Sequence, residues 1–181
     1  MKTMLAFAAF VLSLSVAPAT ALVFEVAPSY TGGGDGGFGQ SMGLWTQWND
    51  DLDLGISTGY HGWSNHSDLG GPVMTYNRDY VRLTTQARLA LPTPVISTFL
   101  IGGMGVYREN FTVSSTAYSE EEIGSYHSEE FETVAPGFNF GVGVDLPSFH
   151  PAVRISAEGT MHHLVGGGGY TTISMALGVA R

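Results

Sequence analysis

The sequence predicts an all-β fold in which eight antiparallel strands, in up-and-down order, close into a barrel. Three observations carry this reading. Eight stretches alternate apolar residues with small or polar ones at period two, the period at which a strand sends side chains to opposite faces. The connections between these stretches alternate short and long. After residue 21 there is neither a helical heptad repeat nor an apolar run long enough for a membrane helix.

The chain opens with a segment of a different kind. Met1-Lys2 is a minimal basic start, Met4 to Val16 is an apolar run, Ala17-Pro18 breaks it, and Ala19-Thr20-Ala21 has the small-x-small form of a cleavage site. Residues 1–21 are therefore expected to be a signal peptide cleaved after Ala21, with residues 22–181 forming one barrel domain. The sequence has no cysteine, which excludes both a lipid-modified N-terminal cysteine and disulfides. An exported chain of this kind must be held by backbone pairing and burial. Lys2 is the only lysine, and beyond the leader six arginines stand against 16 acidic residues. That balance excludes a nucleic-acid partner, which needs a basic footprint.

The strands follow in order. The first, 22–31, carries Glu25 on one parity and Tyr30 on the other, and the second, 38–48, runs from Phe38 to Trp48. In the third, 52–63, Leu52, Leu54, Ile56, Thr58 and Tyr60 alternate with Asp53, Gly55, Ser57, Gly59 and His61. In the fourth, 78–91, Val81, Leu83, Thr85, Ala87 and Leu89 alternate with Arg82, Thr84, Gln86 and Arg88. The fifth, 95–108, is apolar on both parities, so its faces stay unassigned. The sixth, 133–146, contains "GFNFGVGVDLP", where Phe138, Phe140, Val142, Val144 and Leu146 alternate with Gly137, Asn139, Gly141, Gly143 and Asp145. The seventh, 152–164, sets Val153, Ile155, Ala157 and Met161 against Arg154, Ser156, Glu158 and His162, and the eighth, 170–180, carries Ser174 and Gly178 on its polar parity. Most of these stretches reach the about 9–11 residues that a tilted membrane strand needs, whereas soluble strands usually run about 5–6.

The connections point the same way. Asn49-Asp50-Asp51, Pro92-Thr93-Pro94 and Pro147 to Pro151 are short turns. Between them fall "TGGGDGG", "SNHSDLGGPVMTYN", a stretch of more than twenty residues from Glu109 to Glu132, and the glycine turn Gly166 to Gly169. Short turns at one end and long polar loops at the other are the plan of transmembrane barrels, and an even strand number places both termini at the short-turn end.

Three stretches, "FLIGGMGVYREN", "GFNFGVGVDLP" and "YTTISMALGVAR", resemble the small outer-membrane β-barrel family that includes OmpA-type and OmpX-type transmembrane domains, and the likeness covers the chain beyond residue 21. The resemblance implies an eight-stranded antiparallel up-and-down transmembrane β-barrel in the outer membrane. It also implies contact with outer-membrane lipid and lipopolysaccharide, and passage through periplasmic chaperones and the barrel-assembly machinery.

An eight-stranded barrel is just wide enough for side chains to fill it, so inward positions should be small or mutually compensating. The polar parity supplies Gly55, Ser57, Gly59, Gly141, Gly143, Ser156, Ser174 and Gly178, with the acids Glu25, Asp53, Asp145 and Glu158 against Arg82, Arg88 and Arg154. These seven charges are expected to form a lumen network, because a lone buried charge costs several kcal/mol. Asp145 and Arg154, on either side of one turn, are expected to pair. The aliphatic parity is expected to face lipid, with aromatic belts of Tyr30, Phe38, Tyr60 and Tyr80 at the loop ends and Trp48 and Phe149 at the turn ends.

Candidate chemistry is sparse. His61 and His162 should face the lumen near the outer end, with Glu158 below His162; two imidazoles and a carboxylate could bind a metal or transfer protons, or merely fill the mouth. "HGWSNHSDLG" holds His61, Ser64, His66, Ser67 and Asp68, the residue types of nucleophilic catalysis crowded into one loop, where such residues also form turns. The acidic "YSEEEIGSYHSEEFE" reads as a solvated face that could hold Ca²⁺ loosely or meet a basic partner. No cofactor, metal or catalytic residue is assigned. The expected function is an integral outer-membrane barrel with a structural or surface-interaction role and no catalysis. Two other readings are a lipid A-modifying barrel enzyme of deacylase or acyltransferase type, and a soluble periplasmic calycin-like carrier of an apolar ligand.

Overall fold

A computed structural model of the chain describes residues 22–32, 36–67, 73–93, 96–117 and 125–180, so the segment expected to be a signal peptide lies outside the described residues. Eight strands follow one another: β1 (Leu22–Gly32), β2 (Gly37–Asn49), β3 (Leu52–Ser67), β4 (Val73–Leu91), β5 (Thr98–Ala117), β6 (Ser125–Leu146), β7 (Val153–Leu164) and β8 (Gly169–Ala180). Each pairs antiparallel with its sequence neighbour, and β1 pairs with β8, so the sheet closes on itself in up-and-down order. Closure leaves the barrel wall no open edge, so the backbone polar groups of the wall are paired strand to strand.

Register follows the parity pattern, because a slip by one residue would turn every side chain to the wrong face. Gly59 stands opposite Arg82, Asp53 opposite Arg88, and Gly143 opposite Glu158, all on the inward parity. The outward parity exposes a continuous apolar surface that includes Phe24, Leu44, Leu83, Leu100, Phe140 and Leu177. β5 resolves here: Phe99, Ile101 and Tyr107 are buried inside, while Leu100, Met104 and Val106 face out. Turns are set by local chemistry. Asn49 Oδ1 accepts a hydrogen bond of 2.9 Å from the Asp51 N–H at the β2–β3 turn, and Gly166, Gly167 and Gly168 all take positive φ between β7 and β8, a conformation closed to most other residues.

The strands differ in length by a factor of two. β1, β2, β7 and β8 have 11, 13, 12 and 12 residues, close to one membrane crossing. β3, β4, β5 and β6 have 16, 19, 20 and 22. Two of the three connections read from the sequence as long polar loops, those after the third and fifth strands, are thus largely strand. β3 and β4 stay paired to Ser67↔Met74, and β5 and β6 to Ala117↔Ser125. Above the membrane both faces of a sheet meet water, so apolar–polar alternation, the signal used to find the strands, fades while the backbone ladder continues.

Candidate functional site

The interior and the outer mouth hold the side chains that could do chemistry, and they fall into layers along the axis. At the turn end Arg154 hydrogen-bonds Asp145 at 2.8 and 3.1 Å and Asp53 at 2.7 Å, beside a cavity of about 250 Å³ that also meets Trp45 and Phe99. This layer is half-buried and open to the short-turn side.

The next layer is buried. Arg88, 2 % exposed, binds both oxygens of Glu25 at 2.7 and 2.8 Å and also bonds Glu158. Its guanidinium lies 3.8 Å from the Trp45 ring centroid and 5.1 Å from that of Phe99. Two acids around one fork-shaped cation satisfy most of its donors, the arrangement that makes a buried arginine tolerable. Glu158, on the parity of His162 in β7 and nearer the turn end, has its carboxylate bound to Arg88.

Inward positions are not uniformly small. Trp45, Phe99, Tyr107 and Tyr170 all enter the lumen. The glycines on the same parity make room for them: a Cβ at Gly143 would collide with the Phe99 ring, one at Gly55 would stand 2.5 Å from Trp45 Cε3, and one at Gly137 would stand 2.8 Å from the Tyr107 ring. Each of these three glycines is thus a seat for a neighbouring strand's ring.

The third layer holds Arg82, Thr84, Ser57, Ser29 and His61, all buried. Ser29 Oγ lies 3.1 Å from His61 Nδ1, a serine–histidine contact, but His61 Nε2 has no partner among the described residues and no carboxylate orients the ring. Such a pair lacks the third member that holds a catalytic base in line. Between this layer and Arg88 the free space is about 20 Å³, so the lumen has no open path.

Rings close the mouth. His162 stacks on Tyr170 with centroids 4.4 Å apart, Tyr170 lies 4.6 Å from Tyr80, and Tyr80 stacks on Trp63 at 5.2 Å. His61 and His162 do come together, 6.2 Å between centroids, within this aromatic plug. His162 Nδ1 meets Tyr107 Oη at 3.2 Å and its Nε2 meets Thr172 Oγ1 at 3.3 Å. Among the described residues no three His, Asp or Glu side chains converge to hold a metal ion. Tyr80 was expected in the outer belt and instead has no exposed surface. It shares the parity of Arg82, which points inward, and its hydroxyl donates to Glu109 Oε1 at 2.8 Å. Tyr30, Phe38 and Tyr60 do lie on the outer surface at that level, as Trp48 and Phe149 do at the other end.

Of the loop with catalytic residue types, Ser64 Oγ donates to Asn77 Oδ1 at 2.7 Å across the β3–β4 ladder, His61 is in the lumen, and Asp68 lies outside the described residues.

Above the mouth the four long strands continue as a sheet. Its lumen-side face carries a cross-strand row, Trp63↔Arg78↔Phe111↔Phe131. Arg78 covers Phe111 at 4.7 Å and pairs with Glu109 at 3.0 Å, while Tyr76 stacks on Phe111. β7 ends at Leu164, opposite Gly137, so Ser125 to Ala135 of β6 pair with β5 on one side only. Glu129, Glu130 and Glu132 lie along that free edge, Glu132 paired to Arg108 at 2.9 Å and Glu129 to His127 at 3.2 Å. The other glutamates of the acidic stretch, Glu120, Glu121 and Glu122, lie outside the described residues.

Neither a protein-family model nor a curated protein matches the chain. Solved structures do. A major outer membrane protein from Thermus thermophilus superposes with a TM-score of 0.55 at 11 % identity, covering 90 % of this chain and 100 % of that one. Ail, the attachment invasion locus protein of Yersinia pestis, gives 0.52 at 14 % identity over 88 % and 95 %. The N-terminal β-barrel domain of Pseudomonas aeruginosa OprF gives 0.51 at 11 % over 89 % and 97 %. Lumen-filling side chains, an apolar outer wall and this likeness agree: the chain has the fold of the small eight-stranded outer-membrane β-barrels.

Proposed function

We propose that the protein is an integral outer-membrane barrel that acts at the cell surface through the β3–β6 sheet, with the lumen serving as its structural core. The observation that carries this is the contrast between the two regions. The lumen is filled by ion pairs and rings, whereas β6 from Ser125 to Ala135 presents unpaired backbone groups, acidic side chains and the 52 % exposed ring of Phe131. An exposed strand edge accepts an extended peptide by backbone pairing, and glutamates along it select a basic one while repelling a second copy of the same edge. The reading implies export by the N-terminal segment, delivery by periplasmic chaperones and the barrel-assembly machinery, and residence beside lipopolysaccharide.

The test uses the folded protein in nanodiscs and an extended peptide with alternating lysines. Binding that weakens with salt and disappears when residues 112–130 are replaced by Asn-Gly is the expected result; equal binding by both forms would overturn the surface-sheet reading. The non-catalytic part is tested separately, by mass spectrometry of lipid A from cells with and without the protein, where no change is expected. The orientation of the apolar parity bears on the carrier reading: a soluble carrier would turn it inward, and here it faces out.

A further inference from the structure

The open edge of β6 has two sides of different chemistry. Register between β5 and β6 is unbroken from Thr98↔Val144 to Ala117↔Ser125, so the backbone groups of successive β6 residues point by turns toward β5 and away from it. The Pro136 carbonyl accepts the Val165 N–H at 2.9 Å, on the side away from β5. Val134, Glu132, Glu130 and Ser128 share the parity of Pro136, so it is their N–H and C=O groups that face the open edge. Their side chains lie on the outer side of the sheet, where Glu132 meets Arg108. Phe131, on the other parity, lies on the lumen side.

The acids near this edge are not equally answered. Glu132 pairs with Arg108 at 2.9 Å, Glu109 pairs with Arg78 at 3.0 Å, and Glu129 lies 3.2 Å from His127 Nε2. Glu130 forms no ion pair among the described residues. On the lumen side a row of rings ends at the same place. Tyr76 stacks on Phe111, and Phe111 lies 6.3 Å from Phe131, which is 52 % exposed and borders the open edge. Since Phe131 spends its backbone groups on β5, an added strand would meet it at a non-hydrogen-bonded position, where facing side chains come closest.

We propose that the edge takes an extended segment of another protein, antiparallel to β6, with an apolar side chain opposite Phe131 and, next in its sequence, a lysine or arginine opposite Glu130. This rests on the surface-sheet reading above and adds the order and facing of the partner's residues. The apolar group continues the row of rings, and the cation answers the one edge glutamate that has no counter-charge. The segment prolongs the line of β7, and Val165, bonded to Pro136, marks its lower end, so it spans the positions from Val134 up to Ser128. A second copy of the same edge fits less well: paired antiparallel about Phe131, it would set Glu130 and Glu132 of the two copies against each other.

The test compares two labelled peptides of one composition on the barrel in nanodiscs. Thr-Thr-Thr-Leu-Lys-Thr-Thr sends Leu and Lys to opposite faces in any register, whereas Thr-Thr-Leu-Thr-Lys-Thr-Thr sends both to one face. The first is expected to bind the wild type about fivefold tighter, the upper range of a cross-strand side-chain pair. Phe131→Thr should erase that preference, and Glu130→Gln should weaken both peptides. Equal binding by the wild type overturns the proposal, and needs no variant to fold; the surface-sheet reading then still stands if the alternating-lysine peptide binds. No binding of any of the three overturns both. Facing is read by disulfide trapping, since the chain has no cysteine and Thr133→Cys places a single thiol on the lumen side. A peptide with Cys in its second position should be trapped and one with Cys in its third should not. Equal trapping, or self-dimerisation of Thr133→Cys in detergent faster than trapping, overturns the proposal.

Discussion

At the residue scale, the lumen combines charge pairing with ring packing, and the two respond differently to substitution. Arg88 is buried and doubly paired, so Arg88→Met leaves Glu25 and Glu158 buried without a cation, and the expected loss is about 3–5 kcal/mol in urea unfolding from lipid vesicles. Combining it with Glu25→Gln and Glu158→Gln should restore much of that loss. Arg154, half-buried beside the turn-end cavity, can share its acids with water, so Arg154→Met is expected to cost less than Arg88→Met in the same assay. Gly143→Ala drives a methyl into the Phe99 ring and is expected to destabilise by about 1–3 kcal/mol, an effect that Phe99→Leu in the same chain should reduce. Parity in the sequence placed Glu25, Asp53, Arg82, Arg88, Asp145, Arg154 and Glu158 on one side of their strands. It could not say which acids each arginine would pair with, because partners 63 and 70 residues away are chosen by the closed ring, not by spacing. Tyr80 shows the converse: its parity already pointed inward, and nearness to a loop misled.

At the element scale, each strand divides at the mouth. Below it the ladder is bounded by lipid outside and filled layers inside, and above it β3 to β6 continue with water on both faces. The pairs from Thr112↔Glu130 outward lie beyond the barrel wall, so replacing residues 112–130 by Asn-Gly should leave the barrel folded, with its urea midpoint little changed. A collapse of refolding in that variant would instead make the β5–β6 hairpin part of the folding core. The projection was illegible to a search for apolar alternation, although Phe111, Val113, Phe131 and Val134 gave a β-branched and aromatic signal that propensity alone could have used. The fifth strand was legible as a strand and not in its faces, since Phe99 and Ile101 inside match Leu100 and Val106 outside in hydrophobicity.

At the scale of the whole molecule, two properties follow from closure and filling. A closed ladder with an apolar outer wall should resist detergent at room temperature, so the unheated protein is expected to migrate differently from the boiled one on a gel, the boiled form alone being unfolded. The plug of Trp63, Tyr80, Tyr170, His61 and His162, with Arg88 below, blocks the axis, so planar bilayers are expected to show no steady open conductance. A sustained open channel would mean that rings and ion pairs part readily, which their burial opposes.

By itself the sequence determined the strand count, the up-and-down order and which parity meets lipid, because each of these is written in local period, turn composition and length. Tertiary structure alone decided which lumen charges pair, where the rings sit over the glycines, and how far four of the strands rise above the mouth. Those depend on register around a closed ring, where residues distant in sequence become neighbours, and on solvent at the two faces of the sheet, which periodicity cannot distinguish once both are water.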